Sequence, residues 1–371
     1  MARTADVLVV GAGILGCSVA YHLARMGPMR VIVLDQGSVG GEASGAAAGM
    51  LAPQCEAAGA GPFLDLCRAA RSYYEQLKPE LEDLTRIDIE YLQWGILYLI
   101  NEEEDEGTEG RYRWQRKLGL AVERLTPEEV RTLEPGLTKE VGGALFFPGD
   151  HHVNNGELTR ALAHGARLLG VEISEGSRVT GFLFDRDRVV GVRTPEAIYT
   201  ARHIVLCTGA WSGQLGPLLG RRIPVEPARG QILYAELAEP AVRHPVWGKG
   251  GYVVPRLNGG LIVGSTVEYA GFEKTVTLDG IRRLSELALA LVPGLTEQPF
   301  TRAWAGLRPH AKDGLPLIGP LEGLDGLYIA TGHFRNGILL GPLTGRLVAE
   351  MIVGEPLSFS IDPFSPRRFG L

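Results

Sequence analysis

The chain has 371 residues, 45% of them hydrophobic and 22% charged, with a formal net charge of −6. This length admits two domains or one large interleaved fold with a sizeable core. An acidic balance without a clustered basic stretch argues against nucleic acid and anionic membrane surfaces as partners, and no apolar run approaches the ~20 residues a membrane span needs.

From Val7 the chain reads as strand, glycine turn and helix, Val7-Leu-Val-Val-Gly11-Ala-Gly13-Ile14-Leu15-Gly16, followed by a second strand that ends in an acid, Val31-Ile-Val-Leu-Asp35-Gln36. A glycine fingerprint in this context predicts a dinucleotide site. Gly11 permits the sharp turn, Gly13 removes the side chain that would block a pyrophosphate, and Gly16 lets the helix sit close on the sheet. The phosphates then face the positive end of that helix. Asp35 is placed to accept hydrogen bonds from a ribose hydroxyl and would repel a 2′-phosphate, so FAD or NAD is favoured over NADP. The fingerprint does not separate those two. Because residue 7 already opens a core strand, no secretory leader is expected and the cytoplasm is the default location.

The next run, Gly40-Gly-Glu-Ala43-Ser44-Gly-Ala-Ala-Ala48-Gly49-Met50-Leu51, has neither helical nor strand periodicity. Its small side chains predict backbone amides that approach a cofactor closely, with Ser44 as a phosphate donor, rather than a linker, which would be richer in polar residues. Helical spacing returns from Phe63 to Leu77, and Thr126-Pro127-Glu128-Glu129 has the cap, proline and acids of a helix start. Ile96–Ile100 and Gly143–Phe147 read as strands. The βαβ rhythm is lost across this block, which makes it part of a second unit. The acidic run Asn101–Glu106 reads as a solvated turn or helix start.

Leu158–Leu169 predicts an amphipathic helix, and Val171–Ile173, Val179–Phe184, Val189–Val192 and His203–Cys207 predict short strands that rejoin the first sheet. The last of these runs into Thr208-Gly209-Ala210-Trp211, a second glycine turn at a strand end, where open α/β sheets bind ligands. Residues 222–310 are strand-rich and predict an antiparallel sheet. Leu327–Gly332 reads as a buried strand, followed by an apolar helix from about Ile338 to Ile352. Cys17, Cys55, Cys67 and Cys207 have no zinc-like spacing and are expected to stay reduced. His151 and His152 point to opposite sides of an extended chain, so no shared metal is expected.

Five segments in order carry a family pattern: the fingerprint, the run ending Gly49-Met50-Leu51, Cys207-Thr-Gly209-Ala-Trp211, Trp304-Ala-Gly-Leu-Arg308-Pro-His-Ala-Lys-Asp313, and Gly332-His333-Phe334-Arg335-Asn336-Gly337-Ile338-Leu339-Leu340. Together they resemble the FAD-dependent D-amino-acid oxidase superfamily, and within it the glycine oxidase branch of thiamin biosynthesis. The resemblance implies an α/β fold in which an FAD-binding Rossmann-like domain, residues 1–51, 149–221 and 311–371, is interleaved with an α+β substrate domain containing an antiparallel sheet, residues 52–148 and 222–310. It implies that Arg308 pairs with a substrate carboxylate, that the Tyr252 hydroxyl joins it, and that Arg335 lies beside substrate and flavin. Val267 stands at a pocket position where relatives carry methionine. FAD contacts extend to Gln36, Gly209, Trp211 and residues 333–339, with Val179 meeting the adenine through its backbone.

No cysteine follows Cys207, so unlike the covalent-flavin branch of the family the FAD is expected to be noncovalent. The implied reaction is hydride transfer from the α-carbon of a small neutral amine, with O2 as final acceptor, no residue assigned as acid or base, and a homotetramer as the assembly. A dehydrogenase of D- or N-methyl amino acids using a quinone or carrier, and an FAD-binding subunit of a larger complex, remain open on the residues alone.

Overall fold

The computed structural model describes residues 3–100 and 106–371. The acidic run therefore falls mostly outside the described residues; the helix that follows spans Glu106–Lys117.

Two sheets organise the molecule. In the first, the order is Leu317–Pro320, Leu327–Thr331, Ile198–Leu206, Arg3–Val10, Val31–Leu34, Glu172–Ser174. The central pairings are parallel. Parallel strands buried on both faces need near-continuous apolar runs, and Val31–Leu34 is buried at every position. Gly181–Asp185 and Arg188–Arg193 form a hairpin hung antiparallel on Ile198–Leu206. The predicted strand from Val179 starts two residues later, at Gly181, leaving Val179 itself in the preceding loop.

The second sheet runs Phe300–Ala311, Val225–Glu236, Gly260–Gly264, Gly251–Pro255, Val246–Gly248, Ile96–Ile100, Gly143–Phe147, Glu123–Leu125. It is antiparallel except where Val246–Gly248 meets Ile96–Ile100. That pairing joins the two predicted substrate-side blocks into one sheet. Leu278–Leu291, a helix absent from the sequence reading, covers the sheet with Leu284, Ala288 and Leu291 and is capped by the Thr277 hydroxyl.

The Pro62–Thr85 helix departs from the expected division. The sequence division starts the substrate side at residue 52, yet Leu66, Ala70, Tyr74, Leu77 and Leu81 bury into the same core as Val7 and Val9. Its apolar stripe faces the Asn155–Leu168 and Gly337–Val353 helices, so packing assigns it to the first sheet's layer.

Helix Ile14–Met26 and helix Gly337–Val353 approach very closely. A methyl at Gly341 would lie 2.8 Å from Ile14 Cγ1, and one at Gly345 would overlap Ser18 Oγ. Two glycines four residues apart present one bare face, which sets the two helices side by side, as their shared cavity requires.

Candidate active site

One cavity of about 510 Å³ opens between the sheets. It is lined by every residue of the expected constellation except Gly16, Leu339 and Val267. Gly16 acts at one remove, since a methyl there would overlap the Gly11 carbonyl oxygen. Leu339 points into the core, where it is buried. Val267, expected at the pocket, is 45% exposed on the outer side of its loop. The inward roles beside it go to Ser265, which lines the cavity, and Thr266, whose hydroxyl accepts from Gln231 N.

At the fingerprint, Gly11 has φ of 107°, in the region that favours glycine, and a methyl on it would overlap the Cys207 carbonyl oxygen. Asp35 lines the cavity while its two oxygens accept from Ala12 N at 2.6 Å and Gly37 N at 2.7 Å. Each oxygen keeps a lone pair for a further donor. Ser44 Oγ accepts from Ile14 N at 2.9 Å, leaving its own proton to give.

The small-residue run is pinned throughout. Gly40 N donates to Ala12 O at 2.9 Å, Asn155 Nδ2 to Ser44 O at 2.7 Å, Arg256 Nη2 to Ala48 O at 2.9 Å and Trp304 Nε1 to Ala46 O at 3.2 Å. Both sheets thus hold it, and its missing side chains leave the cavity wall as backbone. Burial pushes the Arg256 guanidinium down to about 10, against the pull of Glu90, and its hydrogen bonds run to the Val153 and Ala48 carbonyls and to Asn155 Oδ1.

A second helix start opens on the cavity from the opposite side. Asn336, Gly337 and Ile338 line it at the beginning of Gly337–Val353. Two helix N-termini facing one space make a site for an anionic, elongated group. His333 lines the same wall but is locked: Nδ1 donates to Thr331 O and Nε2 accepts from Thr344 Oγ1, both at 3.0 Å. The carbonyl can only accept, which fixes this tautomer. Burial holds the imidazole down, to about 4, so it is neutral at pH 7 and both nitrogens are engaged.

Arg308 enters from Phe300–Ala311. Nη1 donates to Thr266 O at 3.1 Å and Nη2 to Ser265 Oγ at 2.6 Å. Burial lowers its pKa, while the Tyr252 hydroxyl beside it works the other way. Gly230 on the adjacent strand makes the space, because a methyl there would overlap the Arg308 guanidinium. Among the described residues Arg308 forms no ion pair, so a half-buried positive charge faces the cavity with neutral hydrogen-bond partners.

Arg335 differs. It stacks 4.8 Å over the Trp247 ring and pairs with Glu56 at 3.3 Å. Glu56 lines the cavity and was missed by the sequence reading, as was Gly230. Glu56 ends the four-residue Pro53–Glu56 helix, too short to show periodicity. Burial raises its pKa, opposed by Arg335, Arg308 and Arg111.

The chain matches the family model described as FAD dependent oxidoreductase over residues 6–351. It is 34% identical to the glycine oxidase of Geobacillus kaustophilus over 371 residues, covering 99% of this chain and 98% of that protein. The crystal structure of glycine oxidase from that organism superposes with a TM-score of 0.94, covering 98% of each chain. The iminodiacetate oxidase of Chelativorans sp. BNC1 superposes at 0.88 with 30% identity, covering 97% of this chain and 99% of that one. A protein of Nostoc sp. named bifunctional protein ThiO/ThiG is 37% identical over 365 residues, which are 95% of this chain and 53% of that protein.

Proposed function

This chain belongs to the FAD-dependent oxidoreductase family as an enzyme of the glycine oxidase type, and from that premise we propose that it oxidises glycine and other small amines, sarcosine and small D-amino acids among them, to the imine. Hydrolysis of the imine gives the 2-oxo acid. When bound, FAD supplies the acceptor for the hydride and passes two electrons to O2, giving H2O2.

The observation that carries this reading is Arg308: a cavity-facing guanidinium, partly desolvated, with carbonyl and hydroxyl partners but no carboxylate among the described residues. A guanidinium fork is the natural mate of a bidentate carboxylate. Tyr252, 6% exposed on the Gly251–Pro255 strand of the same sheet, adds a hydroxyl to the same place. Holding the carboxylate at Arg308 fixes the α-carbon in the cavity, and orientation of this kind supplies much of the rate. The positive end of the Gly337–Val353 helix favours negative charge developing in the cavity beside it. No acid or base is required of His333, whose nitrogens are both occupied. The thiols are buried, and burial raises the Cys207 thiol at the cavity wall. A protonated thiol is a poor nucleophile, which supports noncovalent FAD.

Supply of the imine to thiazole formation and assembly as a homotetramer are part of this proposal, resting on the family resemblance. No described helix is long and apolar enough to cross a membrane.

The test is anaerobic reduction of the purified holoenzyme with glycine, sarcosine and D-alanine in turn, followed by air. Loss of the oxidised flavin spectrum with glycine and rapid recovery with peroxide support the proposal. Reduction followed by slow recovery in air identifies a dehydrogenase, and no reduction by any small amine rejects catalysis by the isolated chain.

A further inference from the structure

We propose that Glu56 sets the charge of the molecule this site accepts: by engaging Arg335 it leaves Arg308 to take a single carboxylate, and it turns away amines that carry a second anionic group. The inference rests on the reading of the cavity as an amine-oxidising site.

Three charged groups converge at the Tyr252 end of the cavity. Arg308 is without an ion-pair partner among the described residues, Arg335 pairs with Glu56 at 3.3 Å, and all three line the wall. Two guanidinium charges and one carboxylate leave one net positive charge. One substrate carboxylate neutralises it. A second would have to displace Glu56 from Arg335 or sit beside its carboxylate, and like charges in a partly desolvated space repel strongly.

Glu56 is held in this position by groups outside the cavity. Asp150 accepts from Gln54 N at 3.1 Å and Cys55 N at 2.8 Å, fixing the start of the Pro53–Glu56 helix. Arg111 Nη1 donates to Cys55 O at 2.6 Å and Ala57 O at 2.9 Å, fixing its end. Arg335 does not depend on Glu56 for its position, because the Trp247 ring supports the guanidinium from another side. A pair that served only to hold Arg335 would not need a separately clamped acid. Removing the Glu56 charge therefore leaves a second guanidinium in place and free.

The probes are two unreactive ethers, methoxyacetate with one carboxylate and diglycolate with two, titrated against the visible spectrum of the FAD-loaded protein. The wild-type protein is expected to bind methoxyacetate at least about tenfold more tightly. In Glu56→Gln diglycolate should gain on the order of ten- to a hundredfold relative to methoxyacetate, the worth of one charge-assisted contact. The gain should disappear in the double variant Glu56→Gln/Arg335→Met. An unchanged ratio in Glu56→Gln overturns the proposal, as does a gain that persists without Arg335. Should the glutamine variant fail to fold, the wild-type comparison decides: diglycolate bound as tightly as methoxyacetate overturns it. These are binding measurements, so a protein that shows the selectivity yet is not reduced by glycine refutes the proposed reaction and leaves the charge selection standing.

Discussion

The Tyr74 hydroxyl donates to the Ile338 carbonyl oxygen at 2.5 Å. In the Gly337–Val353 helix that carbonyl would normally accept from the residue four positions on, which is Pro342 and has no N–H. Tyr74, fully buried on the Pro62–Thr85 helix and stacked on Tyr91, thus replaces a missing helical bond at a residue of the cavity wall. The proline keeps the helix start open, and a residue far away in sequence satisfies what it exposes. Tyr74→Phe should cost about 1–3 kcal/mol, the penalty for an unsatisfied buried acceptor. Urea unfolding of the two proteins measures it, and equal midpoints would remove Tyr74 from this role.

Arg308 and Gly230 should act as one unit. Arg308→Ala should weaken binding of a small carboxylate by roughly 2–5 kcal/mol, with the flavin retained. Gly230→Ala, which puts a methyl where the guanidinium lies, should raise KM in the same direction although it removes no functional group. Steady-state kinetics with glycine tests both, and an unchanged KM in Arg308→Ala would exclude Arg308 from the substrate.

Asp35 ties the first strand's turn to the loop after the second, through Ala12 N and Gly37 N. Asp35→Ala loses these bonds together with any contact to a ribose. Reduced FAD content after dialysis is expected; a fully loaded variant would count against the ribose contact.

Asp150 gives a pH signature. Burial raises its carboxyl to about 7 from an ordinary 3.8, opposed by the Cys55 and Gln54 amides and by Arg71. Because the folded pKa lies above the unfolded one, the folded state holds the proton more tightly. The stability this contributes is complete below about pH 4 and is lost as pH rises through about 7. Asp150→Asn cannot titrate, so the difference in unfolding free energy between wild type and variant should shift in favour of the variant across that interval. A difference flat with pH would show that Asp150 is ionised throughout.

The cofactor half of the site was legible because its chemistry is local. Gly11, Gly13, Gly16 and Asp35 lie within a single strand–helix–strand unit, where turn geometry and helix polarity are dictated by neighbours in sequence. Arg308, Tyr252 and Arg335 could be named only through family resemblance, since an arginine in a strand carries no mark of what it faces. Val267 shows the limit of that route: its neighbours turned inward and it did not.

The sequence by itself determined the two kinds of sheet, the small-residue wall and the fingerprint, all of which follow from periodicity, side-chain size and glycine's backbone freedom. Tertiary structure alone decided that Pro62–Thr85 packs with the first sheet's layer, that Glu56 meets Arg335, that Gly230 clears space for Arg308, and that Tyr74 supplies the donor that Pro342 lacks. Each of these joins residues separated by tens to hundreds of positions, through burial and directional bonds that exist only once the sheets and helices are packed.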